Sequence, residues 1–194
     1  MRAHYHSKLP GDLSLPDVDG CATPRPVSHE TLQTLKYQLY PKQHSSRSLE
    51  EQFRTISKEL GFPWEGEVLR FDVPATETVD AMKEMLGYYT KERVIEPYDI
   101  LWMFTRGHAY LDIEEPWTNS TIRLSLDEGE SILIPAGAYH HYTLSTGLGT
   151  ELRMWAMYKT SDTSYLEADL PPLIFGQEAE QHPVRRAYLD SIRL

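Results

Sequence analysis

Six short apolar runs, each ended by a turn, occupy residues 99–158 and constrain the fold of this chain more than any other feature of its sequence. They are Asp99–Thr105, His108–Ile113, Thr121–Leu126, Ser131–Pro135, Tyr139–Ser145 and Glu151–Tyr158, with polar turns at 114–120 and 127–130. Runs this short and this regularly spaced predict the strands of a sandwich or barrel. The region before them reads differently. Ser28 to Tyr37 places Leu32 and Leu35 on one helical face and stops before Pro41. Ser48-Leu49-Glu50-Glu51 matches a capping box, followed by Phe53, Ile56 and Leu60 at helical spacing and by Gly61 as a stop. A third helix is expected to start near Thr76 or Thr78 and to use Val79, Met82, Met85 and Leu86. The chain therefore reads as one domain over residues 1–194. Residues 1–27, carrying Pro10, Pro16, Pro24 and Pro26, form an irregular segment, 28–87 helical cladding, 95–160 barrel strands, and 161–194 a C-terminal tail that is weakly helical from Gln177.

Composition narrows the partners. Nineteen Lys+Arg against 29 Asp+Glu give a net charge of −10, which disfavours a nucleic-acid partner, because phosphate-backbone binding needs a basic patch. Arg185-Arg186, the nearest approach to a basic cluster, is read as a solvated helix face. A single Cys21 excludes an intramolecular disulfide and any cysteine-based zinc or iron–sulfur cage. No run of about 18 apolar residues exists to span a membrane. The first residues lack the apolar stretch of a signal peptide, so a cytoplasmic location is expected. A homo-oligomer is compatible with the sequence.

The string Leu133-Ile134-Pro135-Ala136-Gly137-Ala138-Tyr139-His140-His141-Tyr142 is the most informative locally. A strand ends at Pro135, a glycine turn follows, and the next strand opens on two adjacent histidines. Side chains alternate along a strand, so only one of His140 and His141 looks into a barrel. His140 shares its face with Tyr142 and Leu144.

Pro135-Ala136-Gly137-x-Tyr139-His140 resembles the second cupin motif, specifically that of the acireductone dioxygenase family. Ala3-His4-Tyr5, Pro10-Gly11-Asp12, Leu35–Leu39, Phe53–Trp64 and Arg106-Gly107-His108-Ala109-Tyr110-Leu111-Asp112-Ile113 resemble further stretches of that family in order, over most of residues 2–160. The resemblance implies a mainly β fold with flanking helices, a cupin-type β-barrel (double-stranded β-helix, or jelly roll). It also implies an iron or nickel site built from His-x-His, a Glu four residues later and a distal His. Here the sequence departs from the pattern. Those positions fall on Val94, Glu96, Ile100 and His140, and a one-residue slip gives Arg93, Ile95 and Asp99 instead of the first three. Valine and isoleucine have no lone pair and arginine is cationic, so Glu96 and His140 are the only residual metal candidates.

The resemblance further places Trp102 where the family has a substrate-binding arginine, Tyr142 where it has a phenylalanine lining the site, and Arg153, after a one-residue gap, at a second family arginine. Trp155 and Met157 are expected to continue that inward face. With Tyr98, Phe104 and, in the other register, Met103, these residues describe either an aromatic cavity for a small-molecule substrate or plain barrel core. The expected function is a non-oxidative step without metal or cofactor, an isomerisation, dehydration or cyclisation of an apolar or aromatic molecule. His140, Glu96, Arg153 and Tyr142 would be its catalytic groups. Two alternatives stand beside it. One is an iron- or nickel-dependent acireductone dioxygenase of methionine salvage, its site rebuilt from Glu96, His140 and Asp99 or His108. The other is a non-catalytic binding or scaffold cupin.

Overall fold

Strand alternation decides which residues this barrel encloses. The computed structural model describes residues 2–6, 25–43, 46–63, 68–73, 94–144, 151–162 and 173–192. Their strands are β1 (Arg2–His6), β2 (Gln38–Tyr40), β3 (Leu69–Val73), β4 (Val94–Ile95), β5 (Ile100–Arg106), β6 (His108–Glu115), β7 (Ser120–Asp127), β8 (Ser131–Ile134), β9 (His140–Leu144), β10 (Leu152–Tyr158) and β11 (Ile174–Phe175). Helices α1 (His29–Thr34) and α2 (Leu49–Glu59) precede β3, and α3 (Gly176–Gln181) and α4 (Pro183–Ile192) close the described chain. Two antiparallel sheets result, a six-stranded one in the order β1-β7-β6-β9-β4-β11 and a five-stranded one in the order β2-β8-β5-β10-β3. From β4 to β10 the chain passes back and forth between the sheets, and the fold is the expected mainly β, cupin-type barrel.

The core lies between the sheets. Ile100, Trp102 and Phe104 of β5 meet Leu111 and Ile113 of β6, Ile122, Leu124 and Leu126 of β7, and Met154, Ala156 and Tyr158 of β10 there. The opposite face of the five-stranded sheet is apolar too. Leu101, Met103, Leu133 and Met157 pack there against Phe53 and Ile56 of α2. Ser48 caps that helix through both arms of a capping box, and full burial of a side chain such as Phe53 or Ile56 contributes about 1.5–3 kcal/mol.

Several expectations change. The first 27 residues are not irregular throughout, because Arg2–His6 add β1 to the edge of β7 in regular register from Arg2 opposite Ser125 to His6 opposite Thr121. Strands β2 and β3 complete the second sheet although neither carries a clear sequence pattern. Arg185 is not a solvated residue. It is buried on α4, donates to Glu114 and to the Gly137 carbonyl (3.3 Å), and lies 4.2 Å from the centre of the Tyr139 ring. The expected third helix near Thr76–Leu86 falls outside the described residues.

The outer face of the six-stranded sheet carries a row of buried polar residues, each directly opposite the next: His4, Arg123, Asp112 and His141. At its centre the Arg123 guanidinium grips Asp112 with two bonds of 2.7 Å. A buried pair of this kind specifies register more than it adds net stability, but breaking one half strands the other charge. Asp112→Ala is therefore expected to lower unfolding free energy by about 3–5 kcal/mol in urea titration, and the double change Asp112→Leu with Arg123→Met to recover most of that loss.

Candidate active site in the barrel

Two strand contacts bring the site together. Val94 of β4 stands opposite His140 of β9, and His140 also stands opposite Ile113 of β6. Two residues on from Val94, the Glu96 carbonyl accepts from Gly137 N at 2.9 Å. The Pro135–Gly137 turn is held on further sides, since Ala136 N donates to Asp99 Oδ1 at 2.9 Å and Arg185 reaches the Gly137 carbonyl. Gly137 has φ +78°, and a Cβ there would lie 2.4 Å from the Val184 carbonyl of α4, so only glycine lets this turn and that helix meet.

His140 faces the core with Ile113 and is buried. Its Nδ1 lies 3.1 Å from the Ala138 carbonyl. A carbonyl only accepts, so Nδ1 carries the proton and Nε2 is the basic nitrogen of the neutral ring. Burial pulls the imidazole down to about 4, with His141 acting in the same direction and the Ala138 contact opposing. Glu96 is equally buried, and its Oε1 accepts from the Tyr158 hydroxyl at 3.1 Å. Its Oε2 makes no hydrogen bond with any described residue. Burial pushes this carboxyl up to about 8, against the smaller lowering effect of Tyr158. At neutral pH the site thus holds a protonated acid and an unprotonated imidazole, the division of states that acid–base pairs require.

The four positions that the family resemblance assigns to metal ligands converge in space. Val94 adjoins His140, Ile100 of β5 adjoins Tyr158 across β10, and Tyr158 holds Glu96. Val94 and Ile100 present hydrocarbon at their two corners, both fully buried. Among the described residues no three His, Cys, Asp or Glu side chains are grouped closely enough to hold a metal ion. Asp99 and His108 do not join the site. Asp99 is engaged by Ala136 N, and His108 alternates onto the outer face of β6, bonded to Asp127. Of the four positions that the resemblance assigns to metal ligands, Glu96 and His140 carry donor atoms, and Val94 and Ile100 carry none.

The remaining candidate residues divide by strand parity. Trp102 and Phe104 face the core, the Trp102 ring stacked on Phe71 at 5.7 Å, and Met103 lies on the opposite face. Arg153, Trp155 and Met157 do not continue the inward face. Arg153 is half exposed, paired with Glu151 at 2.7 Å and near Asp72, while Trp155 sets its edge against Phe53 of α2 and Met157 joins that same outer cluster. The pairing of β5 with β10 shifts between Arg153 and Met154, where Thr105 of β5 is passed over, while β10 itself alternates without interruption. Met154, Ala156 and Tyr158 take the inward places. Tyr98 is half-buried with its hydroxyl 3.3 Å from Asp162, its ring edge-on to Tyr158. Tyr142 takes its backbone place in β9 opposite Leu111; its side chain lies outside the described residues. Sequence reasoning misses Tyr158, because the pattern of β10 taken by itself suggests the other parity.

No family model matches the chain. Similar proteins are found nonetheless. Acireductone dioxygenase 1 of Coprinopsis cinerea is 28% identical over 144 residues, spanning 74% of this chain and 75% of its own. The acireductone dioxygenase of Aspergillus fumigatus is 25% identical over 204 residues, covering 100% of this chain and 97% of its own. The chain is a divergent relative of the acireductone dioxygenases. A solved structure described as acireductone dioxygenase from Bacillus anthracis with cadmium ion in active center superposes with a TM-score of 0.58 at 14% identity, over 82% of this chain and 93% of that one. That likeness shows the shared barrel.

In this divergent relative the Glu96 carboxyl sets a pH dependence of stability. A carboxyl raised in the folded state contributes stability that is present below its ordinary value of 4.5 and lost as pH rises through about 8. His140 acts in the opposite sense, its contribution being lost as pH falls from 6.5 through about 4. Glu96→Gln removes the first effect alone. Thermal melts of the variant should exceed those of the parent by a margin that grows between pH 6.5 and 8 and reaches several degrees; a margin that stays flat or shrinks contradicts the assignment.

Proposed function

We propose that this barrel has exchanged metal chemistry for proton transfer on a small, uncharged organic molecule, with Glu96 as general acid and His140 as general base. What supports the reading is hydrocarbon, Val94 and Ile100, at two of the four positions that the resemblance assigns to metal ligands, beside a buried carboxyl and imidazole on the core side of β4 and β9. A two-ligand protein site is too weak for a resident metal, whereas the same two groups in a water-poor, apolar setting suit acid–base work. Trp102 and Phe104 supply the apolar wall, and the Tyr158 hydroxyl orients Glu96. Arg153, held at the surface, is not part of the machinery. With both titratable groups uncharged near neutrality, an ionic substrate would lose its hydration without a partner. A neutral hydroxyketone or diketone suits the pair, accepting a proton from Glu96 while His140 Nε2 removes one from carbon, the bond change of an isomerisation or of the first half of a dehydration or cyclisation.

The test is proton exchange without metal. Chelator-treated protein should catalyse deuterium incorporation from D2O into an enolisable probe such as 2-hydroxyacetophenone or cyclohexane-1,2-dione, read by mass spectrometry. Glu96→Gln and His140→Gln should each slow it about 100-fold or more while Arg153→Ala leaves it unchanged. Exchange indifferent to both core substitutions overturns the reading. The second reading follows the names of the relatives, a dioxygenase acting on an acireductone, and is favoured by a match that runs the full length of the chain. Oxygen uptake with an acireductone after loading with iron(II) or nickel(II) would establish it. The expected outcome is no uptake above that of metal-free protein.

A further inference from the structure

We propose that the outer face of the six-stranded sheet carries a second site, a serine-centred acyl-transfer triad of Ser125, His108 and Asp127 that cleaves small carboxylic esters. The three residues come from two neighbouring strands by simple register. Asp127 of β7 stands directly opposite His108 of β6, and Ser125 lies two residues back along β7, on the same face and diagonal to the histidine. His108 Nδ1 lies 2.7 Å from Asp127 Oδ1, and His108 Nε2 lies 3.5 Å from Ser125 Oγ. The chemistry of the Asp127 contact fixes one proton position. A carboxylate only accepts, so Nδ1 carries the hydrogen. In the neutral ring Nε2 is the acceptor, and the Ser125 hydroxyl donates to it. That is the resting arrangement of a nucleophile, a base and a group that orients the base, with the long serine–histidine contact usual before substrate binds. The edge-on contact of His108 with Tyr110, rings 4.8 Å apart at 87°, holds the imidazole plane.

The site is open at its Asp127 end and closed over its serine. Ser125 is 4% exposed, but the Asp127 side chain is 58% exposed, and Arg2, directly opposite Ser125 on β1, is an exposed cation on the same face. Directly opposed residues have Cβ atoms about 5 Å apart, so the Arg2 guanidinium is within reach of the oxygen that becomes negative when a carbonyl is attacked at Ser125 Oγ. None of these groups belongs to the barrel site, which lies on the other face of the sheet, and the inference stands apart from the function proposed for it.

The reaction balances without a co-reactant other than water. Ser125 Oγ bonds to the acyl carbon as its proton passes to His108 Nε2. The carbon–oxygen bond to the alcohol breaks, and the alcohol leaves with that proton. Water then attacks the acyl carbon, losing a proton to Nε2; the carbon–Oγ bond breaks, that proton returns to Ser125 Oγ, and ester and water have become acid and alcohol.

The experiment treats the full chain with a fluorophosphonate probe and maps the adduct by peptide mass spectrometry, with p-nitrophenyl acetate hydrolysis as a parallel rate. Expected are one adduct per chain, on Ser125, and an ester hydrolysis that falls about 100-fold or more in Ser125→Ala and in His108→Gln. Arg2→Ala should slow acylation about 10-fold, one hydrogen-bonded charge at the developing oxyanion, and Arg153→Ala should change neither readout. No adduct on the unaltered chain, an adduct on another residue, or labelling undiminished in His108→Gln overturns the proposal. Because the adduct is mapped on unaltered protein, the first two of these results do not depend on any variant folding.

Discussion

The pairing of Val94 with His140, continued by the hydrogen bond from Gly137 N to the Glu96 carbonyl, is the contact on which the barrel site depends. It fastens a strand of two residues to the glycine turn before β9 and thereby sets Glu96 and His140 on the same side of the sheet. The turn is fixed from other directions as well, by the Asp99 carboxylate, by Arg185 and by the close seat of α4 on Gly137. Glu96 and His140 are thereby held in place, while the buried side chains of Val94 and Ile100 beside them are hydrocarbon. A site of this kind retains shape and two titratable groups, and its chemistry follows from what burial does to those two.

Buried charge is handled differently at two places on the six-stranded sheet. Buried ions sit on its outer side as completed pairs, Arg123 with Asp112 and Arg185 with Glu114. On the core side, burial holds Glu96 protonated and His140 unprotonated near neutrality. The physical cause is the same in both places. Low surrounding polarizability makes a lone ion costly, so a group either acquires a countercharge or gives up its own. Arg123 and Asp112 keep their charges as a pair, Glu96 and His140 give theirs up, and only the second arrangement leaves protons available for transfer.

Much of this is legible in the order of residues. The six runs between residues 99 and 158 correspond to β5 to β10 with ends shifted by one or two positions, because apolar runs bounded by turns carry their own length signal. The selection of one of two adjacent histidines for the core follows from alternation alone, and it falls on His140. What cannot be read has a tertiary cause. Strands β1, β2 and β3 are short and are strands because a neighbour in the sheet offers hydrogen bonds, as Tyr5 and Ile122 show across β1 and β7. Both parities of β10 carry large apolar side chains, so its pattern alone does not tell that Met154, Ala156 and Tyr158, rather than Arg153, Trp155 and Met157, face the core. Arg185 resembles a surface cation in the sequence because nothing local announces that Glu114, distant along the chain, completes it.

The protonation state of Glu96 tests the central claim most directly, since a metal ligand must be ionised and a general acid must not be. Infrared difference spectra of the parent against Glu96→Gln should show the carbonyl band of a protonated carboxylic acid at pH 7, fading as pH rises through about 8 and unmoved by added iron(II) or nickel(II). A spectrum with only carboxylate bands at pH 7, or an acid band abolished by either metal, would contradict proton transfer by Glu96 as the chemistry of this barrel.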